Sequence, residues 1–273
     1  MKTGLVFFVL LSLGGALVPS RAVESLGLSA ATATGPQPGK PYLNPALKLE
    51  LATIPAGSFV MGSSYLDSSR RDDEVLHRVI LTRSFWLGRT PVTQAQYEAV
   101  MGTNPSHFKG SDFPVETVSW DDAMTFCRKL TEQERAAGRL SAGFAFTLPT
   151  EAQREYACRA GTDGRYAGPL NEIAWYSGNS DERVHAVGEK QPNAWGLYDM
   201  QGNVWEWCAD WYGNYEAEAA NDPAGPARGR SRVYRGGAWF HSADLCRSSA
   251  RFKTEPDYRG SLLGFRIALV GVQ

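Results

Sequence analysis

Two carboxylates and three large aromatic rings crowd residues 196–208 of this chain, which read Gly196-Leu197-Tyr198-Asp199-Met200-Gln201-Gly202-Asn203-Val204-Trp205-Glu206-Trp207-Cys208. A carboxylate buried unpaired beside an indole costs several kcal/mol, so Asp199 and Glu206 need a cation, backbone amides or water. Gly202 ahead of Asn203 marks a turn that can bring such groups together. The remaining chemistry-bearing residues are sparse. Cys127, Cys158, Cys208 and Cys246 lack Cys-x-x-Cys spacing, which speaks against a finger-type zinc site. Their even count permits disulfides, with three connectivities if all pair. His77, His107, His185 and His241 show no ligand spacing.

The elements that must position these groups are short. Thr93 can cap a helix over Gln94–Met101, with Gln96 completing a capping box and Gly102 ending it. Ser119 can cap residues 120–130, where Ala123, Phe126, Cys127 and Leu130 form one apolar face. Thr150 can cap Glu151–Arg159, with Gln153 at the box position and Gly161 as the stop. Strands are expected on both sides of Pro55-Ala56-Gly57, at 79–81 and at 85–87. Beyond Trp175 turn signals dominate and almost no helix is expected. Abundant Gly, Trp, Tyr and Pro point to a loop-rich α+β fold with little regular secondary structure.

Composition bounds the function classes. The chain opens Met1-Lys2, runs apolar through 5–18 and reaches Ser20-Arg21-Ala22, the pattern of a secretory signal peptide over 1–22. The apolar run is short for an uncleaved membrane anchor, the other reading of that segment. Residues 23–48, containing Gly35-Pro36-Gln37-Pro38-Gly39-Lys40-Pro41, read as a flexible linker or arm. Residues 49–273 are long enough for one domain with a substantial core. A formal net charge of −1 without a basic block argues against nucleic acid or an anionic membrane surface as partner. The expectation is a secreted or periplasmic monomer with no membrane span in the mature chain.

Several motifs together resemble the formylglycine-generating enzyme (sulfatase-modifying factor) family. They are Ile54-Pro55-Ala56-Gly57-Ser58-Phe59-Val60-Met61-Gly62 and Thr90-Pro91-Val92-Thr93-Gln94-Ala95-Gln96-Tyr97. Leu148-Pro149-Thr150-Glu151-Ala152-Gln153-Arg154-Glu155-Tyr156-Ala157-Cys158-Arg159 follows, with Gln-Arg where the family usually has Glu-Trp. The 196–208 stretch, Tyr234-Arg235-Gly236-Gly237-Ala238-Trp239 and Leu263-Gly264-Phe265-Arg266 complete the series. They occur in the family's order over nearly the whole globular part. The resemblance implies a single loop-rich α+β domain related to C-type lectins.

The resemblance also implies sites. Catalytic members hold Cu(I) between two C-terminal thiolates and use oxygen to convert a substrate cysteine to formylglycine. Soft thiolates suit that ion. Their two positions fall on His241 and Cys246, so at most one thiol is present and copper is not expected. Cys246 also aligns with the family's structural cysteine, whose partner would be Cys158. Cys127 and Cys208 are left as buried thiols or as a pair with each other. The family's calcium ligands fall on Asp199, Gly202, Val204 and Glu206, a mixed oxygen set that suits a structural calcium. The other reading of the two carboxylates is that they accept amides or pair with arginine. Trp205, Trp239 and His241 fall along the groove that catalytic members use for peptide substrate. The functional expectation is a domain that binds a peptide, glycan or small molecule in that groove. The alternative is an oxidoreductase of the same family acting on a peptide or secondary metabolite.

Overall fold

All three capped helices form: α1 over Gln94–Met101 and α3 over Glu151–Arg159 with the expected capping boxes, and α2 over Trp120–Ala136 with a box through Asp122 that the sequence reading did not include. In each, the cap side chain accepts the third helical amide while that residue's side chain accepts the cap amide. The computed structural model describes residues 1, 2, 4 and 35–272. The signal-peptide reading therefore lies almost wholly outside the described residues. The described residues from 35 to 272 fall in one compact unit, and all three helices belong to it. Among the described residues no helix is long and apolar enough to cross a membrane.

The strands in chain order are β1 (Tyr42–Asn44), β2 (Leu49–Ile54), β3 (Gly57–Met61), β4 (His77–Leu81), β5 (Phe85–Gly88) and β6 (Phe144–Thr147). A short helix, α4 (Leu170–Ile173), precedes β7 (Ala174–Trp175), β8 (Gln201–Gly202), β9 (Trp205–Trp211) and β10 (Ala220–Asn221). Then come β11 (Arg232–Arg235), β12 (Arg251–Thr254), β13 (Leu263–Phe265) and β14 (Ala268–Gly271). They form sheets ordered β1-β2-β5-β14-β6, β10-β4-β3, β12-β11-β9-β13 and β7-β8. The two strands flanking Pro55 and Ala56 thus belong to different sheets. Beyond Trp175 the only helix among the described residues is a one-turn 3-10 helix, Ala243–Cys246.

Two differences from the sequence reading have physical causes. First, residues read as the end of the arm are packed. β1 pairs antiparallel with β2, and Trp86 Nε1 donates to Lys40 O at 2.8 Å. Tyr42 brings an aromatic ring into the core and Asn44 caps the next turn. Second, α2 runs six residues beyond Leu130. Polar side chains conceal this inner face: Thr131 Oγ1 accepts the amide of Phe146, and buried Glu134 accepts from Tyr42, Asn44 and Arg139.

The main core joins α1 and α2 to Trp86, Phe146, Trp205, Trp207, Phe265 and Leu269. A second cluster packs Ile54, Val79, Phe85, Leu87 and α3 residues Ala152, Tyr156 and Ala157. Helix α3 is unusual because Glu151, Arg154, Glu155 and Arg159 are all buried on it. Burial is tolerable because each charge is paired. Glu151 takes Arg235 and Arg251, Glu155 takes Arg159 and Arg235, and Arg154 takes Glu206.

Candidate functional site

The 196–208 stretch lies in the interior, threaded between α3 and the C-terminal strands. Gly202 (φ +76°) turns the chain where any Cβ would collide with the Trp175 carbonyl oxygen, so only glycine fits. Asp199 (φ +52°) and Asn203 (φ +59°) also adopt the left-handed region, which Asp and Asn tolerate better than most residues. The buried Asn203 side chain clamps His185, accepting its amide at 3.2 Å and donating to its carbonyl at 3.1 Å.

Asp199 and Glu206 are both fully buried but differently served. Burial pushes the Glu206 carboxyl up, and the guanidinium groups of Arg154 and Arg266 overcome this and hold it below the usual range. Arg154 Nε lies 3.0 Å from Glu206 Oε2, and Arg266 Nη2 lies 3.0 Å from Oε1. Arg266 Nε bridges both oxygens at 3.3 and 3.2 Å. Asp199 accepts one strong bond, from the Gly188 amide at 2.7 Å, and a long one from Asn203 at 3.4 Å. Burial pushes its pKa up to about 6, with the nearby Glu206 charge adding to the rise and Gly188 and Arg266 opposing it.

These contacts test the calcium set. Calcium takes about six to eight oxygen ligands. Both Glu206 oxygens already accept guanidinium donors, and Asp199 accepts from the Gly188 amide and from Asn203. The four residues Asp199, Gly202, Val204 and Glu206 do not fit calcium in this arrangement.

The groove residues divide. Trp205 and His241 line one cavity of about 360 Å³, together with Tyr234, Leu245, Phe252 and Tyr258. Trp205 meets Tyr234 and Phe252 edge-on at centroid distances of 5.2 and 5.1 Å. Its Nε1 donates to His241 Nδ1 at 3.1 Å. An indole N–H only donates, so Nδ1 accepts and the ring proton resides on Nε2. Burial also holds the His241 pKa below the ordinary histidine range, so the ring is neutral at pH 7. Trp239 is not part of this cavity. It packs with Val184 and Val204 in a separate cluster, edge-on to Phe108.

Larger clefts exist, of about 660, 570 and 680 Å³. None is lined by a residue of the 196–208 stretch, although the 570 Å³ cleft begins just beyond it at Asp210. The smaller cavity is distinguished by its aromatic walls and by His241, whose tautomer is fixed by Trp205. Tyr234, Phe252 and Tyr258 are not evident as lining residues in the sequence, because their convergence depends on the pairing of β11 with β9 and β12.

All four cysteines are buried, and none forms a bridge in this structure. Cys246 lies outside the aromatic cavity, packed beside Gly237, where a Cβ would collide with its sulfur. Burial pushes its thiol up to about 12, and the neighbouring Cys158 adds to the rise. Cys158 Sγ sits 3.7 Å from Met200 O and from Ser248 Oγ.

Residues 44–270 match the sulfatase-modifying factor enzyme 1-like domain. The chain belongs to the sulfatase-modifying factor family. It is 31% identical over 231 residues to the mouse formylglycine-generating enzyme, covering 76% of this chain and only 58% of that enzyme. It is 27% identical to the chaperone protein LppX of Paenibacillus barcinonensis, covering 88% of this chain and 94% of that protein. Among solved structures, Treponema denticola variable protein 1 matches with a TM-score of 0.75 at 34% identity, over 84% of this chain and 98% of that one. PvdO from Pseudomonas aeruginosa also matches at a TM-score of 0.75, with 28% identity over 86% and 99%. The family's fold is thus the fold of this chain: a mixed α+β domain with its C-terminal strands around the aromatic cavity.

Proposed function

We propose that this member of the family is an exported binding domain whose C-terminal cavity takes an apolar or aromatic group of a peptide, glycan or small molecule. The observation that carries the reading is the Trp205–His241 hydrogen bond inside an aromatic-walled cavity. Aromatic walls supply dispersion and apolar burial, and polar groups led by His241 set orientation, the usual division of labour in ligand sites. His241 occupies the place where the resemblance puts the first copper thiolate, and its Nδ1 is already spent on Trp205. Cys246, in the second place, is packed away from the cavity beside Gly237. The Nε2–H of His241 is the donor left for a ligand carbonyl or hydroxyl. Relatives named as an enzyme and as a chaperone share this fold, so the site and not the fold must decide.

The test is binding by tryptophan emission and calorimetry to a panel of N-acetylated aromatic and aliphatic amino-acid amides, short peptides and oligosaccharides. At least one class is expected to bind and to lose about tenfold or more in affinity with Trp205→Phe or His241→Ala, since either change removes the hydrogen bond. Conversion of a Cys-x-Pro-x-Arg peptide to its aldehyde, dependent on copper, oxygen and Cys246, would replace this reading with the oxidoreductase one.

A further inference from the structure

We propose that the guanidinium groups of Arg154 and Arg266 stand in place of a divalent cation at the Asp199–Glu206 loop, so that this chain holds the loop without calcium. A bound divalent ion in such a loop has two tasks: to neutralise buried carboxylates and to gather oxygens from separate backbone segments. The two arginines do both. They occupy both oxygens of Glu206. Arg154 Nη2 also takes the Met200 carbonyl at 2.8 Å, and Arg266 takes the Tyr198 and Gly88 carbonyls, each at 2.7 Å.

The charges balance within the cluster. Both guanidinium groups meet Glu206, and the charge of Arg266 also reaches Asp199, so with both carboxyls ionised the two positive and two negative charges cancel without an ion. Adding a divalent cation would leave it strongly positive in a low-dielectric interior. Displacing the arginines from Glu206 to admit one would strand two buried guanidinium groups.

Space for Arg154 is built into the fold. Gly236, at φ +107°, passes directly beside its Nη2, where a Cβ would come within 2.5 Å. Arg154 is also the point at which the α3 motif departs from its family pattern, which usually carries tryptophan there. Arg266 belongs to the shared Gly264-Phe265-Arg266 ending. Arg154 is therefore the cation that the usual family pattern does not supply.

The experiment compares full-length wild type, Arg154→Lys and Arg154→Gln, stripped of metal and then given excess calcium or EGTA. Thermal unfolding and terbium luminescence sensitised by Trp205 and Trp207 are the two readouts. Wild type and Arg154→Lys are expected to show the same Tm in both conditions and no saturable sensitised emission that calcium displaces. Arg154→Gln leaves Glu206 with one cation. It should lose roughly 10 °C in Tm, recover part of it with calcium but not with magnesium, and acquire the terbium signal. A calcium-dependent rise in wild-type Tm that Glu206→Gln abolishes would overturn the proposal. So would an Arg154→Gln loss that calcium leaves untouched. Should Arg154→Gln fail to fold, displaceable terbium emission in the wild type would overturn it and its absence would support it.

Discussion

Replacing Asp199 with asparagine should stabilise this protein near neutral pH and leave it unchanged in acid. Asp199 is fully buried with one strong hydrogen bond, and burial raises its pKa from 3.8 to about 6. Because the folded value is the higher one, the unfolded chain releases its proton first. The contribution to stability is fully present below about pH 3.8 and is lost as pH rises through about 6. That gap corresponds to about 3 kcal/mol. Asparagine matches the neutral carboxyl in shape and keeps an acceptor for the Gly188 amide. It brings an amide nitrogen towards Asn203 Nδ2, now 3.4 Å from Asp199 Oδ1, which takes back about 1 kcal/mol. The net gain of about 2 kcal/mol at pH 7.5 should raise Tm by roughly 4–8 °C, shrinking to nothing or slightly below zero at pH 4. Thermal unfolding of both proteins from pH 4 to 8 measures this. An Asp199→Asn effect of the same sign and size across that range would refute the reasoning, because a burial penalty on a charge must vanish once the charge is gone. A loss of stability confined to neutral pH would instead mean that ionised Asp199 holds a cation.

Three further outcomes are expected on the same structural grounds. Gly202→Ala is expected to cost roughly 2–4 kcal/mol, read as a lower denaturation midpoint, since its Cβ would strike the Trp175 carbonyl at a positive φ. Cys158 and Cys246 are close enough for their charges to couple, and in protein exported to an oxidising compartment non-reducing peptide mapping is expected to find them joined. Complete alkylation of Cys246 in denatured, unreduced protein would exclude that bridge. Export itself should leave a mature N-terminus near Val23, and exported protein that retains Met1 on mass analysis would argue against cleavage.

The three principal helices and the Gly202 turn are legible in the sequence because their signals are local. A cap and its box partner lie three residues apart, and the Thr93–Gln96 and Thr150–Gln153 pairs form as the sequence reads. The Gly202 turn is signalled by its own Gly-Asn pair, although the contact that excludes a Cβ there comes from Trp175. The end of α2 is not legible, since Thr131 and Glu134 face inward for partners supplied by β6 and by the segment around β1. The packing of residues 42–44 is hidden for a related reason: a short strand gains its stability from β2 and the core behind it, not from its own composition.

At the site, the sequence by itself determined that Asp199 and Glu206 would be interior groups in need of compensation, because carboxylates cannot sit unserved among indoles. It could not determine what compensates them. Arg154 and Arg266 lie 52 and 60 residues from Glu206, and nothing in the spacing distinguishes them from the chain's many other arginines. Only the tertiary structure decides that α3, the start of β9 and the chain just after β13 meet at one point, and hence that the charge there is met by guanidinium groups. The same holds for the aromatic cavity, where Trp205 meets His241 across 36 residues. Hydrogen-bond and ion-pair partners are chosen by proximity in space, whereas caps, turns and apolar periods are written in neighbours along the chain.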